Sequence, residues 1–492
     1  MKTLLGIDFG GGASKATLID EKGNRIAENM VEYPTLHPTP DACEQRSEDW
    51  VEALCRNTKA ILEKSGVDPK DILAVALDSA THSFLPCDAR FLPLCPAIHW
   101  TDSRSRREAE ELTREHGEEI FRLTFHKPDT IWTLPQLLWL RRNKPEIFSR
   151  IGHLFFEKDY LRYFLTGEFY TDRIEAQGSM LFDCRKMEWS EELLSLCSLP
   201  RSVLPAIIEP TDPAGKVTRE AARATGLSEG TPVIAGSTDT VMEIFASGAV
   251  QKGDVTVKLA TAGRICVITD APVPDRHLVN YSHVVKGLWY PGTATKAAAS
   301  SYRWYRDTFG STYSLLDEGA AAIPPGAQGL VFHPYLNGEL TPLASPLACG
   351  SFCGIRSTHT KAHFTRAVLE GVCYSLLDSR RYLDSLGVPC NPPHPATLIG
   401  GGARGTLWRG ICADILGMRL RTTESSDSSL GSAMLAGVAA GVFESPEQAV
   451  ALCVREKDVV DPIPENTRLY AELFEDYKAI QKVLVPLYEK RK

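Results

Sequence analysis

Leu4-Leu5-Gly6-Ile7-Asp8-Phe9-Gly10-Gly11-Gly12-Ala13-Ser14-Lys15-Ala16-Thr17-Leu18-Ile19-Asp20 is the stretch that decides how this chain folds. It reads as strand, tight small-residue turn, strand. In a dinucleotide-binding fold such glycines lead into a helix. Here they lead into Lys15 to Asp20, a polar turn at Glu21-Lys22-Gly23-Asn24, and a further strand-like run from Arg25 to Glu32. The pattern predicts a meander of strands joined by polar, glycine-containing turns. Consecutive N–H groups in a tight turn form a concavity that binds anions. Glycine lets that backbone approach a ligand closely and take positive φ. Read alone, the same stretch is an ordinary hairpin at a sheet edge.

A second turn removes that isolation. Val255-Thr256-Val257-Lys258-Leu259-Ala260-Thr261-Ala262-Gly263-Arg264-Ile265-Cys266-Val267-Ile268-Thr269-Asp270 repeats strand, small turn and strand about half a chain later. Two such turns facing each other across a cleft would hold a polyphosphate from both sides, which points to ATP chemistry between two related halves. No G-x-x-x-x-G-K-[ST] phosphate loop is present, and the lone Gly215-Lys216 lacks its required neighbours.

Composition sets the bounds. A chain of 492 residues is too long for one core and predicts two large domains. Hydrophobic content of 43% and charged content of 24% fit an ordinary soluble protein. The formal charge, 54 − 62 = −8, gives no electrostatic case for nucleic acid. No apolar stretch reaches membrane-spanning length, and the N-terminus enters a strand without a signal peptide. The thirteen scattered cysteines form no Cys-x-x-Cys motif. They read as reduced thiols of a cytoplasmic protein.

The first domain is expected over residues 1–248 and the second over 249–492, with a hinge near 248–253. Apolar runs Ile72 to Leu77, Pro232 to Ala235 and Ala396 to Ile399 fit buried strands. They end at Asp78-Ser79-Ala80-Thr81-His82, Gly236-Ser237-Thr238-Asp239-Thr240 and Gly400-Gly401-Gly402-Ala403-Arg404-Gly405. Helices are expected over Arg106 to Thr124, Leu134 to Asn143, His363 to Leu386 and from Thr406 to about Gly417. A small-residue helix over Leu430 to Val442 suits close packing against a nucleotide or another helix. A charged amphipathic helix is expected from about Glu465.

The strand ends supply the candidate chemistry. Asp8, just before the first turn, suits a Mg²⁺ ion beside phosphates; a turn-capping Asp is the plain alternative. Asp239 is the candidate base that orients an attacking hydroxyl and takes its proton; the alternative is an N-cap for the helix that follows. His82 is either a substrate contact or a satisfied structural histidine. Trp100-Thr101-Asp102-Ser103-Arg104 combines an apolar face, an acceptor and a donor fork that suit a sugar, or else caps the next helix. Gly400-Gly401-Gly402 lets a flat group approach a strand-to-helix turn, or packs it closely.

Taken together, these motifs resemble the FGGY carbohydrate kinases, closest to the xylulokinase-like branch. The resemblance rests on Gly6-Ile7-Asp8-Phe9-Gly10 with Lys15, on His82, on Trp100-x-Asp102-x-Arg104 and on Lys158-Asp159-Tyr160-Leu161-Arg162-Tyr163-Phe164-Leu165-Thr166-Gly167-Glu168. It continues through the Asp239 loop, Pro334-Tyr335-Leu336-Asn337-Gly338-Glu339-x-Thr341-Pro342, Gly400 to Trp408, and Leu430-Gly431-Ser432-Ala433. It implies an α/β protein with two ribonuclease-H-like domains, of the actin, Hsp70 and hexokinase ATPase type, flanking a central cleft whose closure excludes water. It implies Asp239 as catalytic base. Thr81, His82, Trp100, Asp102 and Thr240 would bind the sugar, and Asp8 would place Mg²⁺. Gly10, Gly11, Gly12 and Thr261 would hold the phosphates of ATP, and Gly401 and Gly402 would meet the adenosine. A homodimer is a further possible implication.

Departures fall at Gly11, Gly12 and Ala13, where relatives carry Thr and Ser, and at Thr81, Thr240 and Leu340, where Met or Gln, Asn and Arg are common. The expected reaction is ATP-dependent phosphorylation of a primary hydroxyl of a small sugar, first a ketopentose such as D-xylulose. Gluconate, ribulose, glycerol or erythritol are alternative acceptors. A nucleotide-driven binding protein of the same fold is the rival class.

Overall fold

The apolar opening residues form a meander in the computed structural model, which describes residues 1–392 and 394–490. Strands β1 (Thr3–Phe9), β2 (Ala13–Asp20) and β3 (Arg25–Glu32) pair antiparallel in succession. After helix α1 (Ser47–Ser65), strand β4 (Ile72–Ser79) lies parallel to β1 and sets Asp8 opposite Asp78. Its unbroken apolar run matches a strand covered on both faces. The chain then forms α2 (Glu157–Thr166) and α3 (Arg173–Gly178). Strand β5 (Pro213–Lys216) pairs antiparallel with β6 (Pro232–Ile234), which runs parallel to β4. Short β7 (Ser237–Thr238) continues along the end of β4, placing Ser237 opposite Asp78. Helix α4 (Asp239–Ala246) follows at once. The sheet order is β5-β6-β4-β1-β2-β3.

The second hairpin is present as well. Strands β8 (Val255–Leu259) and β9 (Gly263–Val267) pair antiparallel. Helices α5 (Ala299–Thr308) and α6 (Lys361–Ser385) precede β10 (Ala396–Ile399), which lies parallel to β8. Helix α7 (Thr406–Leu416) leads to β11 (Leu420–Thr423), parallel to β10. Helix α8 (Ser428–Ala439) comes next, then β12 (Glu456–Val460), antiparallel to β11, and α9 (Pro464–Glu489). This sheet runs β9-β8-β10-β11-β12. Each sheet thus joins an antiparallel hairpin to parallel strands, as a ribonuclease-H-like architecture requires.

The chain divides into two compact units that are not continuous in sequence. One comprises Met1–Val250, Tyr281–Gly287 and Ser425–Arg455; the other comprises Gln251–Asn280, Leu288–Glu424 and the chain from Glu456. The first unit packs Leu5, Ile7, Leu18 and Val75 against Trp50 and Leu54 of α1. The small-residue helix α8 covers β1, β4 and α4. The contact is close enough to demand glycine: a Cβ on Gly6 would stand 2.0 Å from the Ser429 carbonyl, and one on Gly431 2.3 Å from that of Met242. Thr17 and Ser429 hydroxyls share a 2.7 Å hydrogen bond across the same interface. In the second unit α9 buries Tyr470, Phe474 and Tyr477, spaced as one helical face. Among the described residues no helix is long and apolar enough to cross a membrane.

Candidate active site

Three neighbouring strands of the first unit end in carboxylates. Asp8 closes β1, Asp78 faces it from β4, and Asp239 opens α4 just past β7. Gly236 makes the last placement geometrically feasible. Its φ is +71°, and a Cβ there would sit 1.9 Å from the Leu77 carbonyl oxygen. The Thr240 N–H donates to Asp239 Oδ1 at 2.5 Å and fixes that side chain.

The site carries a surplus of negative charge. Asp78 is fully buried, and its Oδ2 accepts a 2.5 Å hydrogen bond from Ser432 of α8. Burial and the facing Asp8 carboxylate push its pKa well up. Burial, with repulsion from Asp239 and Asp427, raises Asp8 to about 7. Asp8 Oδ1 is buried and has no hydrogen-bond partner among the described residues. Glu157, at the start of α2, is likewise pushed up by burial, with Asp8 and Asp239 adding to the rise. The Tyr33 hydroxyl bridges Glu157 Oε1 and the Gly10 carbonyl. Lys15, opposite Asp8 on β2, pairs with Asp427 at 2.7 Å.

These residues meet the test for a divalent cation held mainly by other ligands. Among the described residues no three His, Cys, Asp or Glu side chains converge as a metal cluster. Mg²⁺ binds through one or two carboxylates plus waters and substrate phosphates, and Asp8 offers one bare, buried oxygen in a negative environment.

The glycine turn departs from expectation in one respect. Gly10, Gly11 and Gly12 do not adopt positive φ. A Cβ on any of them would meet nothing closer than 3.7 Å, so the protein's own packing does not require glycine there. Instead, the turn directs its carbonyls inward. Gly10 O accepts from Tyr33, Gly11 O from Thr35 and Gln45, and Gly12 O from the Tyr33 N–H. The N–H groups of Gly11 and Gly12 make no hydrogen bond among the described residues. The second turn repeats the device in its own unit. Thr261 O accepts from Ala298 N–H and Ser300 Oγ, and Ala260 O from Ala299 N–H. The N–H groups of Thr261 and Ala262 are left without protein partners among the described residues. Both turns therefore present donors, as an anion site requires.

His82 takes φ +76° after β4, with Thr81 before it. Its backbone N–H donates to Glu175 Oε1 at 3.1 Å, and its Nε2 lies 2.5 Å from the Tyr281 hydroxyl. Its ring stands 4.5 Å from that of Trp132, which in turn lies 4.5 Å from His126. Burial holds His126 down to about 3, so the ring is neutral. His82, His126, Trp132 and Tyr281 form an aromatic, polar-edged shelf of the kind that suits a sugar ring. Thr240 sits beside Asp239 on α4, half-buried. Trp100 is 38% exposed. Asp102 behaves differently: both its oxygens are spent on the Cys43 N–H and on the backbone and guanidinium of Arg104. In this structure it secures the turn beneath Trp100.

A buried ion network lies just ahead of Asp239. Lys158, Asp159, Arg162 and Asp172 have no solvent exposure. Lys158 pairs with Asp159 at 2.5 Å and Asp172 at 2.9 Å, and Arg162 with Asp159 at 2.9 Å. Arg162 also donates to the Ala235 carbonyl, and Asp172 accepts from Ser237 Oγ, both at 2.9 Å. The two residues thus grip the chain on either side of Gly236, just ahead of Asp239.

In the second unit, Ala260, Thr261, Gly401, Gly402 and Trp408 help line a cavity of about 620 Å³. Gly400 has φ +93°, and a Cβ on Gly402 would stand 2.9 Å from Trp408, whereas one on Gly401 meets nothing within 4 Å. Gly401 is therefore the open side at which a flat group can lie. Opposite, the Tyr302 hydroxyl donates to Asp317 at 2.6 Å.

Comparison with known proteins decides the family. Residues 3–246 match the N-terminal domain of the FGGY family of carbohydrate kinases, and residues 258–440 match its C-terminal domain. The chain belongs to the FGGY family of carbohydrate kinases. It is 32% identical to the xylulose kinase of Lactococcus lactis subsp. lactis, covering 98% of this chain and 97% of that one. It is 29% identical to a gluconokinase of Bacillus subtilis over 99% and 96% of the two chains. The crystal structure of xylulose kinase from Rhodospirillum rubrum superposes with a TM-score of 0.93 at 27% identity, covering 99% of this chain and all of that one.

An FGGY kinase is an ATP-dependent sugar phosphotransferase, and the carboxylate cluster costs this one stability. Folded Asp8 keeps its proton to about pH 7, whereas the unfolded chain releases it near 3.8. Raising the pH from 4 to 7 therefore disfavours folding. Asn at this position has no proton to lose. Asp8→Asn should be more stable to unfolding than the wild type at pH 8, by an amount on the order of 2–4 kcal/mol. The advantage should shrink as pH falls through 7 and vanish near 4, while kinase activity is lost. Thermal unfolding across this pH range checks both the sign and the window.

Proposed function

We propose that this chain transfers the γ-phosphoryl group of ATP to a primary hydroxyl of a small neutral sugar, with D-xylulose the first acceptor. The observation that carries the reading is Asp239, fixed by its own helix N-terminus beside the buried Asp78 and the half-buried Asp8 at adjoining strand ends. An Asp in that setting takes the hydroxyl proton on its carboxylate as the alkoxide oxygen bonds to phosphorus and the bond to the ADP oxygen breaks. His82 and Thr81 orient the sugar, with Trp132, Tyr281 and Trp100 against its apolar face and Thr240 beside the base. Gly11, Gly12 and Thr261 donate backbone N–H groups to phosphate oxygens, while the Gly10 N–H, already given to the Ala13 carbonyl at 3.0 Å, closes the turn. Gly401 and Gly402 admit the adenosine. Asp8 would hold Mg²⁺, which neutralises charge developing on the transferred group.

A neutral acceptor is favoured over a sugar acid by the fate of Arg173. Arg173, tied to the segment that carries Tyr281, is already spent on Glu209, Ser282 and the His283 carbonyl. A carboxylated sugar would need a cation that this arginine does not offer. A cytoplasmic setting and a homodimer belong to the same proposal. The test is ADP release with a panel of D-xylulose, D-ribulose, gluconate, glycerol and erythritol. The expected order puts a ketopentose first in kcat/KM. Gluconate ahead of both ketopentoses would overturn the acceptor assignment.

A further inference from the structure

The turn at Thr261 presents its N–H groups outward only because its carbonyls are fixed from behind, and the chain that fixes them is itself clamped. Residues 293–300 run beside β9. Thr293 exchanges hydrogen bonds with Ile265, and Thr295 with Gly263. Ala298 and Ser300 then hold the Thr261 carbonyl, and Ala299 that of Ala260. Between these contacts stands Lys296, whose backbone N–H donates to Glu339 Oε1 at 2.8 Å.

Glu339 is 2% exposed. The same Oε1 accepts its neighbour's N–H, that of Leu340, at 2.7 Å, and Oε2 accepts from Ser375 of α6 at 3.2 Å. Two residues on, Thr341 exchanges hydrogen bonds with the backbone of Ala294. A buried carboxylate is costly to keep in a protein interior without a task. This one joins the long helix α6 to the segment, residues 293–300, that braces the Thr261 turn.

We propose that Glu339 is a positioning residue for the nucleotide phosphates, acting through Lys296 and residues 293–300 to hold the Thr261 turn with its N–H groups outward. The inference rests on the reading of that turn as a phosphate site. Glu339 touches neither nucleotide nor sugar.

The test is calorimetry of ATP and of adenosine on the full chain, with KM for ATP and for the sugar in parallel. Glu339→Ala should weaken ATP by about tenfold, the loss expected for a charged hydrogen-bond clamp. Adenosine affinity and the KM for the sugar should stay within twofold of the wild type. Glu339→Gln retains Oε1 as acceptor for both N–H groups and can donate to Ser375, so it should restore ATP binding. Unchanged ATP affinity in Glu339→Ala overturns the inference. So does an equal loss of ATP and adenosine affinity, which would mark mere destabilisation, and so does failure of Glu339→Gln to restore it. If the wild type binds ATP no better than adenosine, the reading of the turn fails. If ATP affinity depends on Glu339 as stated but no sugar is phosphorylated, the clamp stands and the acceptor reading fails.

Discussion

Asp239→Ala should lower sugar-dependent turnover by roughly 10²–10⁴-fold, the span expected for removal of a general base. ATP affinity should stay within about threefold of the wild type, because the residues assigned to the nucleotide lie elsewhere in the sequence. The fold should survive. Asp239 accepts a hydrogen bond from its own neighbour, Thr240, at the half-buried beginning of α4, and loss of such a contact costs about 0.5–2 kcal/mol. Initial-rate kinetics with a coupled ADP assay measure the first effect, and calorimetry the second. Near-normal turnover in this variant would remove Asp239 from the mechanism. Loss of ATP binding would show that the residue acts on the nucleotide.

Asp159→Ala should destabilise the first unit strongly. Asp159 neutralises Lys158 and Arg162 together, and none of the three is exposed. Burial alone would lower the Lys158 pKa, yet Asp159 and Asp172 outweigh it and hold that ammonium above its ordinary value. Removing one partner of a buried ion pair strands its charge and costs about 3–5 kcal/mol. By contrast, Asp71, which meets Lys2 and the N-terminus at the surface, should cost no more than about 1 kcal/mol when replaced by Ala. Urea unfolding of the two variants beside the wild type makes the comparison. Activity should fall in Asp159→Ala even where the protein remains folded, since Arg162 loses its orientation towards the Ala235 carbonyl ahead of Asp239, the proposed base. Equal unfolding free energies for the two variants would contradict the role given to the buried network.

The difference between Asp8, Asp102 and Tyr281 shows how far the sequence was legible. The placement of Asp8 and Asp239 at neighbouring strand ends was readable because apolar runs marked their strands. Gly401, Gly402 and Thr261 likewise follow apolar strand runs, and they line one cavity. Asp102 has the right residue type at a strand end, but Arg104 two residues later takes its charge. Spacing alone does not reveal which of two nearby polar groups a carboxylate will choose. Tyr281 carried no signal. It comes from a short stretch, Tyr281–Gly287, that belongs to the first unit although the chain on either side of it belongs to the second. Helix α8 does the same on a larger scale, and only its small residues hinted at how closely it packs on β1. The glycine turn was recognised, but not its mechanism. Its glycines serve an open face with inward carbonyls rather than positive φ.

The most direct test is the phosphorus NMR spectrum of the products formed from ATP, Mg²⁺ and D-xylulose. A phosphomonoester signal coupled to two methylene protons, absent without the sugar and absent with Asp239→Ala, is the result expected of transfer to a primary hydroxyl. Inorganic phosphate and ADP as the sole products, in equal amounts with and without sugar, would contradict it.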